Sequence, residues 1–166
     1  MFTGSQHAPD FDSVLQRAGG ENNAFTNTDL TNYYLTVPAD NLELALWLES
    51  DRMQYLSLSA ESLEKQRKVV IEEFKQNYLN QPYGDLMLLL KPLAYQVHPY
   101  RWNTIGKEIS HIAKAQMTEI KTFYQRYYCP DNAVLCIAGH FDLLQTKKMV
   151  EKWFGEIPPG HFPSVV

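Results

Sequence analysis

Between Thr31 and Val37 the chain reads "TNYYLTV", with Thr31, Tyr33, Leu35 and Val37 alternating with Asn32, Tyr34 and Thr36. A period of two belongs to a strand whose two faces meet different surroundings. A few residues later the period changes. In "PADNLELALWLESDRMQYL" the apolar residues Leu42, Leu46, Met53 and Leu56 form a stripe, which marks a long helix. A chain that switches period in this way has to pair its strands and lay amphipathic helices on them. The class implied is α+β, an antiparallel-type sheet with helices packed on one face.

The remaining elements follow from caps and breakers. "ENNAFTN" reads as a strand joined to the first through the polar turn "NTD". Before it, "DFDSVLQRAGG" is a short helix with Gly19 just past its end. Asp40, with Glu43 three residues on, has the spacing of a capping box for the long helix. Ser59 caps a second, "SAESLEKQRKVVIEEFKQNYLN", which Asn80, Gln81 and Pro82 interrupt. "YGDLMLLLKPLAY" starts as a helix that Pro92 kinks or ends. "HPYRWNTIGKEIS" is a loop with a short turn, and "AQMTEIKTFYQRYY" a further helix stopped at Cys129 and Pro130. "DNAVLCIAGHF" reads as an apolar strand, and "DLLQTKKMVEKWFGEIP" as a last helix stopped at Gly155.

At 166 residues the chain suits one compact domain with a real core. A net charge of −4 with scattered signs offers no basic stripe for nucleic acid. No apolar run is long enough to span a bilayer, and "MFTGSQHAPDFD" lacks the regions of a signal peptide. Cys129 and Cys136 make no metal spacing and read as two buried thiols. The five histidines, His7, His98, His111, His140 and His161, show no paired spacing, so each reads as a surface or capping residue.

Two stretches carry potential chemistry. In "QRKVVIEEFK" two carboxylates, Glu72 and Glu73, end an apolar run. Gln66, Val70, Glu73 and Asn77 lie at i, i+4, i+7 and i+11 and share a helix face. Glu72 is rotated about 100° from Glu73, so only one of the pair can serve a site on that face. The alternative is an acidic, solvated helix surface. In "ENNAFTN", Asn23 to Thr26 form an edge that either pairs with an extended peptide or is blunted by polar residues against aggregation.

Taken together, "LQRAGGENNAFTNTDLTNYY", "EKQRKVVIEE", "HPYRWNTIG", "FYQRYYCPDNAVLCIAGHFD" and "WFGEIPPG", in that order, resemble the insulinase/pitrilysin family of zinc peptidases. That family includes the mitochondrial processing peptidases. Its zinc is held by the two His of an inverted H-x-x-E-H helix and by a Glu in a downstream V-x-x-E helix, and the Glu of H-x-x-E-H is the general base. By this resemblance the downstream ligand falls on Glu73, and Gln66 occupies a position where the family often carries a further Glu. The substrate strand falls on Asn23, Ala24 and Phe25. Phe2 matches the aromatic that follows the inverted motif beside the scissile bond.

The resemblance further implies a fragment of a metalloendopeptidase that cuts extended peptides, beginning just past both His ligands and the catalytic Glu. It divides the chain into a truncated peptidase domain, 1–157, and a linker or tail, 158–166, toward a second homologous domain or subunit. Zinc would belong to the complete protein, with none retained by these residues alone, since one carboxylate does not make a zinc site. Uncovered apolar surface would then favour self-association. The competing readings are a non-catalytic scaffold or partner subunit of the same family and a peptide-binding module without chemistry.

Overall fold

The computed structural model describes residues 4–160. Among these described residues seven α-helices accompany one two-stranded sheet: α1 Phe11–Arg17, β1 Glu21–Thr26, β2 Thr31–Thr36, α2 Leu42–Tyr55, α3 Ala60–Phe74, α4 Leu86–Ala94, α5 Ile109–Lys114, α6 Met117–Tyr127 and α7 Leu143–Phe154. The α+β class is met. The chain folds as two compact units. The first takes residues up to 23, 33–58 and 118 onward; the second takes 24–32 and 59–117. The β1–β2 hairpin therefore has its open end in the first unit and its tip in the second.

In the first unit, Asp10 caps α1 by accepting from the Ser13 amide at 3.1 Å. Gly19 ends the helix with φ 71°, a left-handed conformation that favours glycine. Gly20 follows because a Cβ there would meet Leu15 Cδ1 at 2.6 Å and Val37 Cγ1 at 2.8 Å. The core joins Ala8, Phe11 and Leu15 to Leu48 of α2, with Leu35 and Val37 packed against it.

Residues ahead of α1 are sewn to the end of α2. The Gln6 amide donates to the Tyr55 carbonyl at 3.0 Å and the Ser57 amide to the Gly4 carbonyl at 3.1 Å. Beneath them the buried carboxylate of Asp51 accepts from the Ser5 hydroxyl and lies 2.6 Å from His7 Nδ1. Aromatic groups tie α6 to α2 and β2. The Tyr124 hydroxyl donates to the Arg52 carbonyl at 2.7 Å, and the hydroxyls of Tyr33 and Tyr128 lie 2.6 Å apart. The Arg52 guanidinium sits 3.9 Å over the Tyr33 ring. Burial, reinforced by the hydrogen bond with Tyr33, pushes the Tyr128 phenol well above its ordinary value.

In the second unit, Ser59 and Ser62 form a reciprocal capping box at the start of α3, each amide 3.1 Å from the other's hydroxyl. Arg67, farther along the same helix, donates to the carbonyls of Ile112 at 2.7 Å and Ala115 at 2.9 Å, satisfying the end of α5. The helix then widens into a π-turn, Lys75–Leu79.

Several expectations are corrected. Asp40 does not cap α2. A 3₁₀ turn, Ala39–Asn41, precedes that helix, and Asn41, at the cap position, instead donates to the Ala18 carbonyl at 2.7 Å. The Glu43 carboxylate, free of a capping box, pairs with Lys152 of α7 at 2.7 Å. Pro92 lies inside α4, which runs on to Ala94. Helix α5 arises within residues read as a loop and just beyond them. "DNAVLCIAGHF" is not a strand: residues 133–138 have no assigned element and Val134 is 96% exposed. A strand exists only as part of a ladder, and among the described residues the sole ladder of named strands is β1–β2. Cys129 is buried as expected, but Cys136 is exposed; both are free thiols. Among the described residues no helix is long and apolar enough to cross a membrane.

Leu48 is fully buried at the centre of the first core. Leu48→Ala should cost about 2–5 kcal/mol, measured by urea denaturation. Lys152 donates a hydrogen bond to Glu43 and holds its carboxyl below the ordinary 4.5. The pair's contribution is therefore present above pH 4.5 and is lost as pH falls through the depressed folded value. Lys152→Met should return the Glu43 midpoint toward 4.5, read by carboxyl-carbon NMR titration.

Candidate functional site

The two carboxylates at the end of α3 have different fates. Glu72 accepts from Lys75 Nζ at 2.7 Å in a solvent-exposed i,i+3 pair. Glu73 is also exposed but has no ion-pair or hydrogen-bond partner among the described residues. Val70 and Gln66, one and two turns earlier, are half-buried. Asn77 lies past the end of α3 in the π-turn, which adds a residue to the turn and removes it from the i+11 register that a straight helix would give. The shared face thus comprises Gln66, Val70 and Glu73, and Asn77 is displaced from it. π-Turns inside helices are frequent at functional sites, and this one begins two residues after Glu73.

Glu73 does not by itself make a metal centre. Among the described residues no group of three or more His, Cys, Asp and Glu could hold an ion. His7 is engaged with Asp51, and His111 lies 3.0 Å from Glu108. His98 caps a 3₁₀ turn, Pro99–Arg101, by accepting from the Tyr100 amide at 3.3 Å. A carboxylate without counterion at a helix end is chemically suited to contribute one oxygen ligand to a zinc ion whose other ligands come from elsewhere.

β1 contributes the other expected site residues. Ala24 is half-buried, Asn23 is exposed, and the Phe25 side chain is 50% exposed. Asn23 and Ala24 already have interactions within the chain. Ala24, Phe25, Gln66 and Glu73 fall in the second unit and Asn23 in the first, while Phe2 lies outside the described residues.

The hairpin tip is built from side chains. Asn27 Oδ1 accepts from the amides of Asp29 at 2.8 Å and Leu30 at 2.9 Å, an Asx turn. The Thr26 and Thr31 hydroxyls lie 3.1 Å apart across the strands. Asp29 accepts a hydrogen bond from the hydroxyl of Tyr100, which is 71 residues away in sequence. Sequence reasoning did not connect these two residues; one lay in a polar turn and the other in a loop, and no local pattern links them.

Residues 1–106 match the family model described as Insulinase (Peptidase family M16), and residues 114–166 match that of the Peptidase M16 inactive domain. The chain is similar to zinc protease PqqE of Helicobacter pylori, 33% identical over 147 residues, covering 89% of this chain and 33% of the relative. It is 30% identical over 153 residues to the uncharacterized zinc protease YmxG of Bacillus subtilis, covering 92% and 37%. A crystal structure of a protease from Helicobacter pylori superposes with a TM-score of 0.90 at 29% identity, covering 99% of this chain and 40% of that one. The first half of the periplasmic protease PqqL from Escherichia coli, at 16% identity, shares the fold with a TM-score of 0.84. The chain spans about a third of the length of the curated relatives it matches. With its first 106 residues matched from end to end, it belongs to the insulinase family, peptidase family M16.

Proposed function

We propose that this chain is part of a zinc-dependent metalloendopeptidase that hydrolyses bonds in extended peptides. Glu73 contributes one zinc ligand, and β1, through Asn23, Ala24 and Phe25, pairs with the substrate. The observation that carries the reading is the contrast at the end of α3, where Glu72 is neutralised by Lys75 and Glu73 has no counterion among the described residues. Relatives named as zinc proteases support the reaction class.

Zinc with three protein ligands and a water polarises a carbonyl and supplies hydroxide near neutral pH. The two His ligands and the general base of an H-x-x-E-H helix, a motif that these 166 residues do not contain, are supplied from outside them. Gln66, two turns back on the face of Glu73, supports by hydrogen bonding and not by charge. An extended peptide adds to β1 by main-chain hydrogen bonds, sharing or replacing the interactions that Asn23 and Ala24 now make. Phe25 offers half-exposed aromatic surface next to that line. A second homologous domain or subunit encloses the peptide, consistent with the chain's one-third share of its relatives' length. In isolation, the exposed apolar side chains of α4, Leu86, Leu89 and Leu93 among them, favour self-association.

The purified polypeptide, residues 1–166, should hold far less than one zinc per chain by elemental analysis and should cleave no peptide. In a longer protein that includes H-x-x-E-H, Glu73→Gln should weaken zinc binding by more than about tenfold. One tightly held zinc on the polypeptide alone would overturn the first expectation, and unchanged zinc affinity in that variant the second. Titrating an extended peptide into the labelled chain should shift the amide NMR signals of residues 23–26. Shifts elsewhere with none at these positions would exclude pairing on β1.

A further inference from the structure

The tip of the β1–β2 hairpin belongs to the same compact unit as residues 59–117, and Tyr100 joins the two, its hydroxyl meeting the side chains of both Asp29 and Thr28. Tyr100 donates its hydroxyl to the Asp29 carboxylate. A two-stranded hairpin has little stability of its own in water, so a contact at its tip bears on how the strands are held. Asp29 is part of the Asx turn that sets the connection between the strands, and the turn in turn sets their register. Ala24 to Thr26 are the last residues of β1 before that turn.

Tyr100 is well fixed at its own end. Its amide donates to His98 Nδ1, and its ring meets that of His98 edge-on at 4.3 Å and that of Tyr95 at 5.9 Å. Arg101 Nη1 donates to the Gln96 carbonyl at 3.0 Å, closing the loop beneath it. The ring is half-buried, whereas Asp29 is exposed. The aromatic cluster is therefore the anchor and the hairpin tip the part that is held. A phenol donating to an ionised carboxylate makes one of the stronger classes of hydrogen bond. That bond also raises the phenol pKa above its ordinary 10.0, so the hydroxyl remains a donor throughout the neutral range.

We infer that Tyr100 is a positioning residue for peptide binding: by holding Asp29 it fixes the hairpin tip, and with it the line of Ala24 and Phe25 to which an extended peptide adds. This rests on the proposed pairing of peptide with β1. Tyr100 does not touch the peptide; it acts through the turn. Its hydroxyl should matter for binding, and its ring for folding.

The test uses the 166-residue chain and a fluorescein-labelled peptide of alternating Thr and Val, with binding read by anisotropy and backbone order by hydrogen exchange. Tyr100→Phe keeps the ring and removes the donor; Asp29→Ala removes the acceptor; Asp29→Asn keeps an acceptor oxygen. Tyr100→Phe and Asp29→Ala should each weaken binding by about three- to tenfold, and the double variant should be no weaker than either. Asp29→Asn should retain most of the affinity. Amides 24–26 should exchange faster in Tyr100→Phe while those of α3 stay unchanged, a pattern that general destabilisation would not give. Binding by the wild type that Tyr100→Phe leaves unaltered, or fully additive losses in the double variant, would overturn the inference alone. A wild type that does not bind the peptide would overturn the β1 pairing and the inference with it.

Discussion

Asp51 on α2 is 4% exposed, and the residues ahead of α1 are arranged around its carboxylate. A lone buried charge costs several kcal/mol, so its oxygens must be satisfied. Ser5 donates to one oxygen and the His7 ring meets the other, which brings residues 4–8 down onto the end of α2. Ala8, Phe11 and Leu15 are then delivered to the core beside Leu48. From there the chain has two glycines in which to turn, and the close approach at Gly20 places Glu21 at the start of β1. Within the first unit, the path from residue 4 to the start of β1 thus begins at one buried acid.

The second unit is built differently. Among the described residues it contains one buried hydrophobic side chain, Phe74, against seven in the first unit. It relies instead on side chains that satisfy backbone groups: the Ser59–Ser62 box, Arg67 on the end of α5, and Asn27 in the hairpin turn. Regions with few buried apolar side chains open locally at low cost, and segments that receive ligands are commonly of this kind. Both Glu73 and the tip-proximal half of β1 belong to this unit.

The sequence was most legible where local rules decide the outcome. The alternation through Thr31–Val37, the cap at Ser59, the stop at Gly155 and the glycine after α1 all appear where they were expected. Helix geometry separates Glu72 from Glu73, and the structure adds a partner for Glu72, Lys75, that spacing alone did not provide. What was missed depended on partners distant in sequence. Asp40 looked like a cap until Asn41 reached the Ala18 carbonyl and Lys152 took Glu43. "AVLCIAG" has the composition of a strand but, among the described residues, no neighbour with which to pair. The Tyr100–Asp29 contact spans 71 residues and leaves no periodic trace.

The two cysteines end in opposite environments. Cys129 is shut away, with Gly160 packed so closely that a Cβ there would meet its sulfur at 2.3 Å, and burial raises its thiol pKa. Cys136 faces solvent in the middle of the apolar run that joins no ladder among the described residues. The molecule consequently carries one natural attachment point for a nitroxide or a dye, seated on a segment with the makings of a strand. A probe there would report, without any engineered residue, the moment at which another strand comes to lie beside it.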